Sequence, residues 1–441
     1  MTAGLPEGFE RWLPSVSDPR LASGPEWLVA LRRDARSRVA SLPMPTARQE
    51  EWRYTSLRSL QEHGFVCAAA GAPTLSADAL EPLLIPGFDS YRAVLVNGRF
   101  VPELSALDGL PPGVRIGGLN ATFATDPAVL RGRLDLFEGD GQGFFSAINL
   151  AALDDGVLVL IERGVALERP LEILHLATGG TLQVAQPRHL IALEPGAQAT
   201  LVERYLGLDT AAIYCTNAVV EIALARDAML RHARLQTESA AAAHLSALQL
   251  LQDAGSHYQG VDIGMGGSWS RTELQVRFRG AHAECDLQGL YLAGDRQLVD
   301  YHLDVEHAVP DCTSRETFKG ILYGKGRAVF DGRVRVARDA QKTDAAMSNR
   351  NLLLSEGAEI DAKPQLEIDA DDVKCSHGTT VGQIEPEMLF YLRSRGIAEP
   401  LARRMLCLGF AGEIIQALTP EPVREYVESL VGERLETAAT D

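Results

Sequence analysis

The spacing of hydrophobic positions changes along the chain. Residues 26–39 place apolar side chains at helical spacing among arginines. Between residues 157 and about 381 the helical period almost disappears, and short apolar runs end at Gly, Asp or Pro. The helical period then returns in three segments, which begin near Pro386, Pro400 and Pro422. The pattern predicts a β-rich centre between two helical ends.

Two shorter stretches refine this picture. Residues 93–102 predict a hairpin, because two apolar runs flank Asn97 and Gly98, a pair that favours the tight turn between antiparallel strands. Residues 239–251 form the one ambiguous run in the β-rich centre, since they fit a short helix as well as a strand. No other helix of useful length interrupts the centre.

The near absence of helical spacing between residues 157 and 381 limits the possible architectures. A βαβ sheet is excluded, because parallel neighbours in such a sheet need helical crossovers. An antiparallel sandwich and a β-solenoid remain. The strands fill far more than the roughly 100 residues of one ordinary sandwich, and residues 326–341 and 357–375 look like successive coils of a solenoid. We therefore favour the solenoid, whose end the helical tail would either cap or leave free while it docks a partner.

Composition and charge narrow the class of protein. The chain has 441 residues, of which 46% are hydrophobic, so it can bury a large core. The net charge of -17 argues against a nucleic-acid surface and against attraction to anionic membranes. No run of eighteen apolar residues occurs, and the N-terminal residues lack the pattern of a signal peptide. We expect a cytoplasmic protein.

The cysteines and glycines exclude further kinds of site. The six cysteines include no CxxC pair, so neither a disulfide framework nor a closed zinc site is indicated. Residues 320–325 resemble a phosphate-binding loop but are one residue short, and Gly326 stands where Ser or Thr should hold magnesium. We interpret the glycine-rich segments as turns and expect any ATP hydrolysis to come from another subunit.

A polar cluster lies in residues 301–307, YHLDVEH. On a strand, His302, Asp304 and Glu306 share one face and His307 lies on the other. We favour a solvated or subunit-facing surface over a metal site. The alternative is a β-helix enzyme acting on acidic polysaccharide, in which Asp304 and Glu306 would hold calcium or act as a general base. Such enzymes are usually secreted, which disagrees with the expected location. Cys312, just beyond this cluster, is interpreted as structural.

Residues 364–383 contain the most suggestive pair. Apolar and polar positions alternate on both sides of a corner at Asp371 and Asp372, which places Cys375 and His377 on one face of one strand, about 7 Å apart. Thiolate and imidazole suit iron, iron-sulfur clusters, zinc or copper. Two ligands cannot close a site, however, and Val373 shares the same face. The residues alone leave a ligand pair and a core pair as alternatives.

Residues 340–397, with KCSHGTTVGQ near their end, closely resemble the SufB/SufD family of iron-sulfur cluster assembly proteins. Residues 49–57, QEEWRYTSL, and residues 313–336 support the resemblance, which covers most of the chain and is clearest after residue 300. The family implies a right-handed parallel β-helix between helical terminal domains. The expected domains are an N-terminal mostly helical domain over 1–110, a β-helix core over 111–383, and a C-terminal helical domain over 384–441.

The resemblance also implies a function. It points to a non-catalytic scaffold subunit in a complex with SufB, which pairs with it through the β-helices, and the ATPase SufC, which docks on the C-terminal helical domain. His377 matches the family histidine at the SufB interface, where it is expected to bind iron or a nascent iron-sulfur cluster together with a SufB cysteine. Cys375 matches a neighbouring cysteine with a weaker tie to function. A flavin in the complex and a homodimer of the chain alone are left open, and no nucleic-acid or membrane partner is expected.

Overall fold

A computed structural model describes residues 8–15, 18–68, 75–137, 143–179 and 182–438. Two long sheets face each other, and through the centre of the molecule the chain passes from one to the other with each successive strand. Neighbouring strands within each sheet are parallel along this stretch. The result is a β-helix of about eight turns, with helices at both ends of the chain. The solenoid prediction is confirmed, and the antiparallel sandwich is excluded.

The strands have the following bounds in chain order: β1 Val66–Cys67, β2 Tyr91–Val96, β3 Arg99–Phe100, β4 Val114–Gly118, β5 Val157–Ile161, β6 Leu171–Ala177, β7 Gln183–Ala185, β8 Arg188–Leu193, β9 Gln198–Gly207, β10 Cys215–Leu224, β11 Met229–Gln236, β12 Ala243–Gln252, β13 His257–Gly264, β14 Trp269–Phe278, β15 Glu284–Ala293, β16 Leu298–His307, β17 Thr313–Leu322, β18 Arg327–Val336, β19 Asp344–Leu353, β20 Glu359–Ile368 and β21 Lys374–Gly382. The helices are α1 Glu26–Ser41, α2 Arg58–His63, α3 Ala77–Leu80, α4 Leu119–Thr125, α5 Phe144–Ala151, α6 Pro386–Ser394, α7 Glu399–Ile415 and α8 Glu421–Ala438.

We call the two sheets A and B. Sheet A runs in the order β20, β18, β16, β14, β12, β10, β8, β5 and β4, with β7 and β1 attached beside β10. Sheet B runs in the order β21, β19, β17, β15, β13, β11, β9, β6, β2 and β3. The last coil of the β-helix therefore consists of β20 in sheet A and β21 in sheet B.

The space between the sheets, which we call the lumen, is filled by side chains stacked in columns. Because the strands are parallel and in register, a residue of one coil lies directly above its equivalent in the next, about 4.8 Å away. Leu248, Leu274 and Leu303 form one such column in sheet A, and all three are buried. Each short apolar run in the sequence thus supplies the lumen side chains of one strand in this stack.

Glycines in sheet B make room for large rings in the lumen. A Cβ atom at Gly320 would lie 2.2 Å from a ring carbon of Tyr291, and one at Gly264 would lie 2.6 Å from the Tyr301 hydroxyl. The two tyrosine rings stack with their centroids 5.6 Å apart. Glycine at these positions is thus required by the packing of the lumen.

The two shorter predictions are resolved by the structure. The hairpin forms as β2 and β3, with Leu95 opposite Phe100, and both Asn97 and Gly98 adopt the positive φ angles of the expected turn. The ambiguous run of residues 239–251 falls largely in β12, a fully buried strand of sheet A. Burial on both faces explains the ambiguity, because it removes the alternation that marks a strand.

The outer faces of the two sheets are covered by opposite ends of the chain. Helices α1 and α5 pack with apolar residues on the outside of sheet A. Helices α7 and α8 pack against the outside of sheet B, where Val202, Leu235 and Ile263 are buried beneath them. The helical tail therefore lies along the side of the β-helix and does not cap its last coil.

The two ends of the β-helix differ as a result. Phe100, Val114 and Ile116 pack against the lumen core near its first strands. At the other end, β20 and β21 are the outermost strands of their sheets. Large apolar side chains stay exposed there, with Ile368 at 40% and Val381 at 51% of their surface accessible. This open end is the structural feature on which the functional interpretation depends.

Candidate functional site

Cys375 and His377 both lie in β21, the last strand of sheet B. In the register with β19, Cys375 pairs with Ala345 and His377 pairs with Met347. Both β19 side chains are buried in the lumen core. Cys375 and His377 therefore lie on the same side of β21 and face the lumen at the open end of the β-helix.

The two side chains differ in their burial. Cys375 is half-buried and packs against the lumen core, whereas His377 is exposed. β21 is the outermost strand of sheet B, so a position that would be internal elsewhere in the β-helix reaches solvent here. A purely structural core role does not fit His377, and it fits Cys375 only in part.

The thiol of Cys375 is held in its neutral form. Burial raises the pKa of Cys375 above its usual value, and the nearby charge of Asp344 acts in the same direction, while a hydrogen bond with the backbone of Ala345 opposes them. Since the thiolate is the form that binds metals, a cation bound by Cys375 must displace the thiol proton. His377 thus offers the more available donor.

The pair lacks further ligands within the described part of the chain. Only one group of three His, Cys, Asp or Glu side chains there brings its donor atoms close enough together to hold an ion, and it consists of His175, His189 and Glu203. Cys375 and His377 belong to no such group. A metal bound by this pair would need ligands from outside the described residues.

The group of His175, His189 and Glu203 lies in the lumen near the first coils and is fully buried. The backbone N–H of Val157 donates to Nδ1 of His189 at 2.9 Å. In a neutral imidazole the proton must then sit on Nε2, which lies 3.2 Å from Nε2 of His175 and donates to it. The lone pair that a metal would need on His189 Nε2 is therefore unavailable.

Electrostatics agrees with a hydrogen-bonded network at this position. Burial lowers the pKa of His189 to about 4 and holds that of His175 well below its usual value, so both rings are neutral. Glu203 accepts from His232 at 3.1 Å and lies 3.6 Å from the Arg234 guanidinium. We interpret the group as an internal polar network that stabilises the lumen, and not as a metal site.

The YHLDVEH cluster has the predicted faces. His302, Asp304 and Glu306 lie on the outside of sheet A, and His307 is buried in the lumen, where its Nε2 lies 3.0 Å from the Ser314 hydroxyl. Asp304 accepts hydrogen bonds from Arg333 and Arg335 at 3.0 Å.

Glu306 is paired in the same way, at 2.6 Å from Arg277. Both carboxylates that the polysaccharide hypothesis requires are thus engaged by arginines. Cys312 is buried and its thiol donates to the carbonyl of Gly280 at 3.4 Å, as a structural cysteine should.

Comparison with known families identifies this β-helix. The model described as "SUF system FeS cluster assembly, SufBD core domain" matches residues 175–410, and the model for the SufBD protein N-terminal region matches residues 21–173. The chain belongs to the SufBD family of iron-sulfur cluster assembly proteins. The core-domain match includes the last coil and both candidate ligands, so the open end is part of the SufBD core.

Curated SufBD relatives match the chain over most of its length. A SufBD family protein of Synechocystis is 34% identical over 93% of this chain and 92% of its own. The iron-sulfur cluster assembly protein SufD of Escherichia coli is 34% identical over 89% of each chain. The chloroplastic protein ABCI7 of Arabidopsis thaliana is 30% identical over 97% of this chain and 91% of its own. Family membership ties the chain to iron-sulfur cluster assembly.

A second candidate surface of this SufBD chain lies on its C-terminal helices. Apolar side chains stand exposed along α6 and the first half of α7, namely Met388, Phe390, Tyr391, Leu401 and Met405. Phe390 is 74% accessible, which is unusual for phenylalanine. A cavity of about 490 Å³ opens beside them, between these helices and the ends of β19 and β21. Exposed apolar patches of this kind mark binding surfaces.

Sequence reasoning missed two features of this SufBD structure. One is the lumen network around Glu203, whose members come from strands of both sheets. The other is an ion cluster that ties α7 to sheet B through Lys319, Arg350 and Glu413. Neither carries a local motif, because each depends on the register between coils or on the docking of helices. No helix in the described ranges is both long enough and apolar enough to cross a membrane.

Proposed function

We propose that the chain is the SufD-type scaffold subunit of a SufBCD complex. In this role it supports the formation of a nascent iron-sulfur cluster, or the acquisition of iron, at its interface with SufB. The observation that carries the proposal is the open last coil, which leaves His377 exposed beside a half-buried Cys375. The identity with SufD over most of the chain supports the choice of subunit.

The open end suits a partner β-helix. No strand in the described part of the chain pairs with the outer edges of β20 and β21, so their outward backbone N–H and C=O groups can pair with another chain. Such a partner would cover Ile368 and place its own ligands next to His377. SufB is the partner that the resemblance implies, and a SufB cysteine would complete the half-site formed by His377 and Cys375.

The C-terminal helices suit the ATPase SufC. Their exposed apolar side chains form a surface on which a folded partner can bury area. The chain itself has a turn where a phosphate-binding loop would need to open a helix, since Gly324 has a φ of +60° and precedes β18. ATP hydrolysis would therefore enter the complex through SufC, and this chain would have no catalytic turnover of its own.

Iron and sulfide are cargo in this mechanism. Dimerisation of SufC on ATP would shift the C-terminal helices, which pack on sheet B, and the shift would reach the paired last coils. Movement there would open His377 and the SufB ligands to iron and sulfur. His377 would bind first through an imidazole nitrogen, and Cys375 would join after losing its proton. Flavin binding and a cytoplasmic location stay predictions.

A homodimer is the second arrangement that the open end supports. Two copies of the chain could pair through the edges that SufB would otherwise occupy, which would give a storage form. Size measurement of the protein alone and with SufB separates the two. A single heterodimer peak on mixing supports the SufB pairing, whereas a homodimer that persists with excess SufB contradicts it.

Replacement of His377 by Ala tests the proposed function. The variant should assemble with SufB and SufC normally, because His377 is exposed and contributes little to the core. It should form much less cluster under anaerobic conditions. A normal cluster yield from the assembled variant complex would remove His377 from the site.

A further inference from the structure

Helix α7 presents one face to solvent and another to sheet B. On the outer face, Leu401 and Met405 belong to the exposed apolar surface of the C-terminal helices, with 50% and 44% of their areas accessible. On the face toward sheet B, the helix carries Phe410 and Glu413. A partner that binds the outer face of α7 therefore contacts a helix whose opposite face packs against the β-helix.

Lys319 of β17 contacts two residues of α7. Its ammonium donates to the backbone carbonyl of Phe410 at 2.8 Å and lies 4.7 Å from the centre of the Phe410 ring. It also lies 2.6 Å from Oε2 of Glu413. The Lys319 side chain is only 4% exposed, so these partners replace the water that its ammonium has lost.

Glu413 joins two coils at once. Its second carboxylate oxygen accepts from Arg350 of β19 at 3.0 Å. Lys319 and Arg350 are partners in the register of sheet B, and the next residue in the same column is Thr380 of β21. Glu413 therefore links β17 and β19, the sheet B strands of the two coils before the last one. The column that contains Lys319 and Arg350 ends at Thr380, three residues along the chain from His377.

The same stretch of β19 is also fixed from the lumen. Asn351 donates to Asn349 at 2.6 Å, and Asn349 donates to the Tyr291 hydroxyl at 3.0 Å. The Tyr291 hydroxyl in turn donates to the side-chain oxygen of Asn351 at 2.5 Å. Residues on both sides of Arg350 are thus held in one ring of hydrogen bonds. This part of β19 should move as a unit with whatever moves Arg350.

We propose that Glu413 is a positioning residue that couples the partner-binding face of α7 to β21, the strand that carries Cys375 and His377. A displacement of α7 is passed through the Glu413 carboxylate to Lys319 and Arg350, and from their strands to β21. The inference rests on the proposed function, because it assumes that a partner binds α7 and that β21 bears the site.

Most exposed ion pairs contribute little to stability, so Glu413 must be compared with a similarly exposed acidic residue. Glu436 of α8 provides one, since it forms an ion pair with Arg404 of α7 without touching sheet B. Its side chain is 59% exposed, against 50% for Glu413. Glu413→Gln and Glu436→Gln therefore remove the same charge from similarly exposed positions. Only the first removes a charge that pairs with residues of sheet B.

Hydrogen exchange of the backbone amides in residues 374–382 tests the coupling. In the isolated chain, Glu413→Gln should raise exchange there about fivefold to tenfold, while Glu436→Gln should leave it unchanged. With SufC and an ATP analogue added, wild type and Glu436→Gln should show a change in exchange at these residues. Glu413→Gln should bind SufC with unaltered affinity but lose most of that change.

The outcomes separate the inference from the proposed function. If the change caused by SufC persists in Glu413→Gln, the inference is overturned while the function stands. If SufC does not bind wild type, the proposed docking of SufC is wrong. The coupling is then tested only by hydrogen exchange in the isolated chain. Equal exchange in wild type and Glu413→Gln then overturns the inference. Restored coupling in Glu413→Asp would support it, because that change keeps the charge.

Discussion

His377 lies one strand beyond Met347 on the lumen side of sheet B, and the two residues are direct partners in its register. Met347 is 3% exposed, whereas His377 is exposed. The β-helix thus ends with a position that would be internal if one more coil followed. A partner that supplies this coil would both bury the edge and enclose the imidazole.

The lumen packing predicts a severe effect for Gly320→Ala. The added methyl group would overlap a ring carbon of Tyr291 and the side-chain oxygen of Asn351, at 2.2 Å and 2.5 Å. We expect a loss of about 1 to 3 kcal/mol in the free energy of unfolding, measured by urea denaturation. Gly409→Ala is the control, because nothing lies within 4 Å of its new Cβ in α7. Equal stability of wild type and Gly320→Ala would contradict the packing described for the lumen.

Glu316 predicts a pH dependence of stability. Its carboxyl is buried in the lumen, and burial raises its pKa from 4.5 to about 8. The folded state therefore keeps a proton that the unfolded chain loses. Between pH 4.5 and about 8 this residue lowers stability as pH rises, by about 1.4 kcal/mol per unit.

Glu316→Gln, which stays neutral, should remove this dependence. Urea denaturation at pH 5 and pH 8 should show the variant gaining stability relative to wild type by a few kcal/mol at the higher pH. Glu356→Gln, at an exposed residue between β19 and β20, should show no such gain. An equal difference between wild type and Glu316→Gln at both pH values would contradict the assigned ionisation.

The C-terminal surface predicts the effect of Phe390→Asp. Phe390 is exposed on α6, so the substitution should leave the thermal stability of the isolated chain nearly unchanged. It should weaken the binding of SufC at least tenfold, because exposed aromatic residues often contribute a large share of binding energy. Calorimetric titration measures the affinity. Undiminished binding would place the SufC surface elsewhere.

The open end predicts a matching result for Ile368→Asp. Ile368 is 40% exposed in β20, and a charge there should be tolerated by the isolated chain but not by a partner that pairs with this edge. We expect weaker assembly with SufB and normal binding of SufC. Met229→Asp, at a similarly exposed residue of β11, is the control. Assembly with SufB at wild-type affinity would exclude this edge as the interface.

Much of the fold could be predicted from local patterns. The Asn97-Gly98 hairpin follows from turn chemistry, and the shared face of Cys375 and His377 follows from the two-residue period of a strand. The three C-terminal helices begin at or next to the expected prolines. These features depend on residues close together in the sequence, where spacing alone is informative.

Other features depend on contacts that spacing does not reveal. The exposure of His377 and the partial burial of Cys375 follow from β21 being the last strand, which a degenerate repeat does not indicate. The network of His175, His189 and Glu203 arises from three strands in two sheets. The sequence also does not determine where the helical tail lies, because apolar helices can either cap the end of a β-helix or pack along its side. Only the register and docking in the structure settle these points.

Anaerobic absorption spectroscopy of the complex co-purified with SufB and SufC shows whether His377 takes part in cluster formation. Wild type should develop the thiolate-to-iron absorption of a nascent cluster, whereas His377→Ala should assemble fully and lose most of this absorption. Cys375→Ala should lose less, because its thiol is half-buried and protonated. Wild-type absorption from an intact His377→Ala complex would contradict the account.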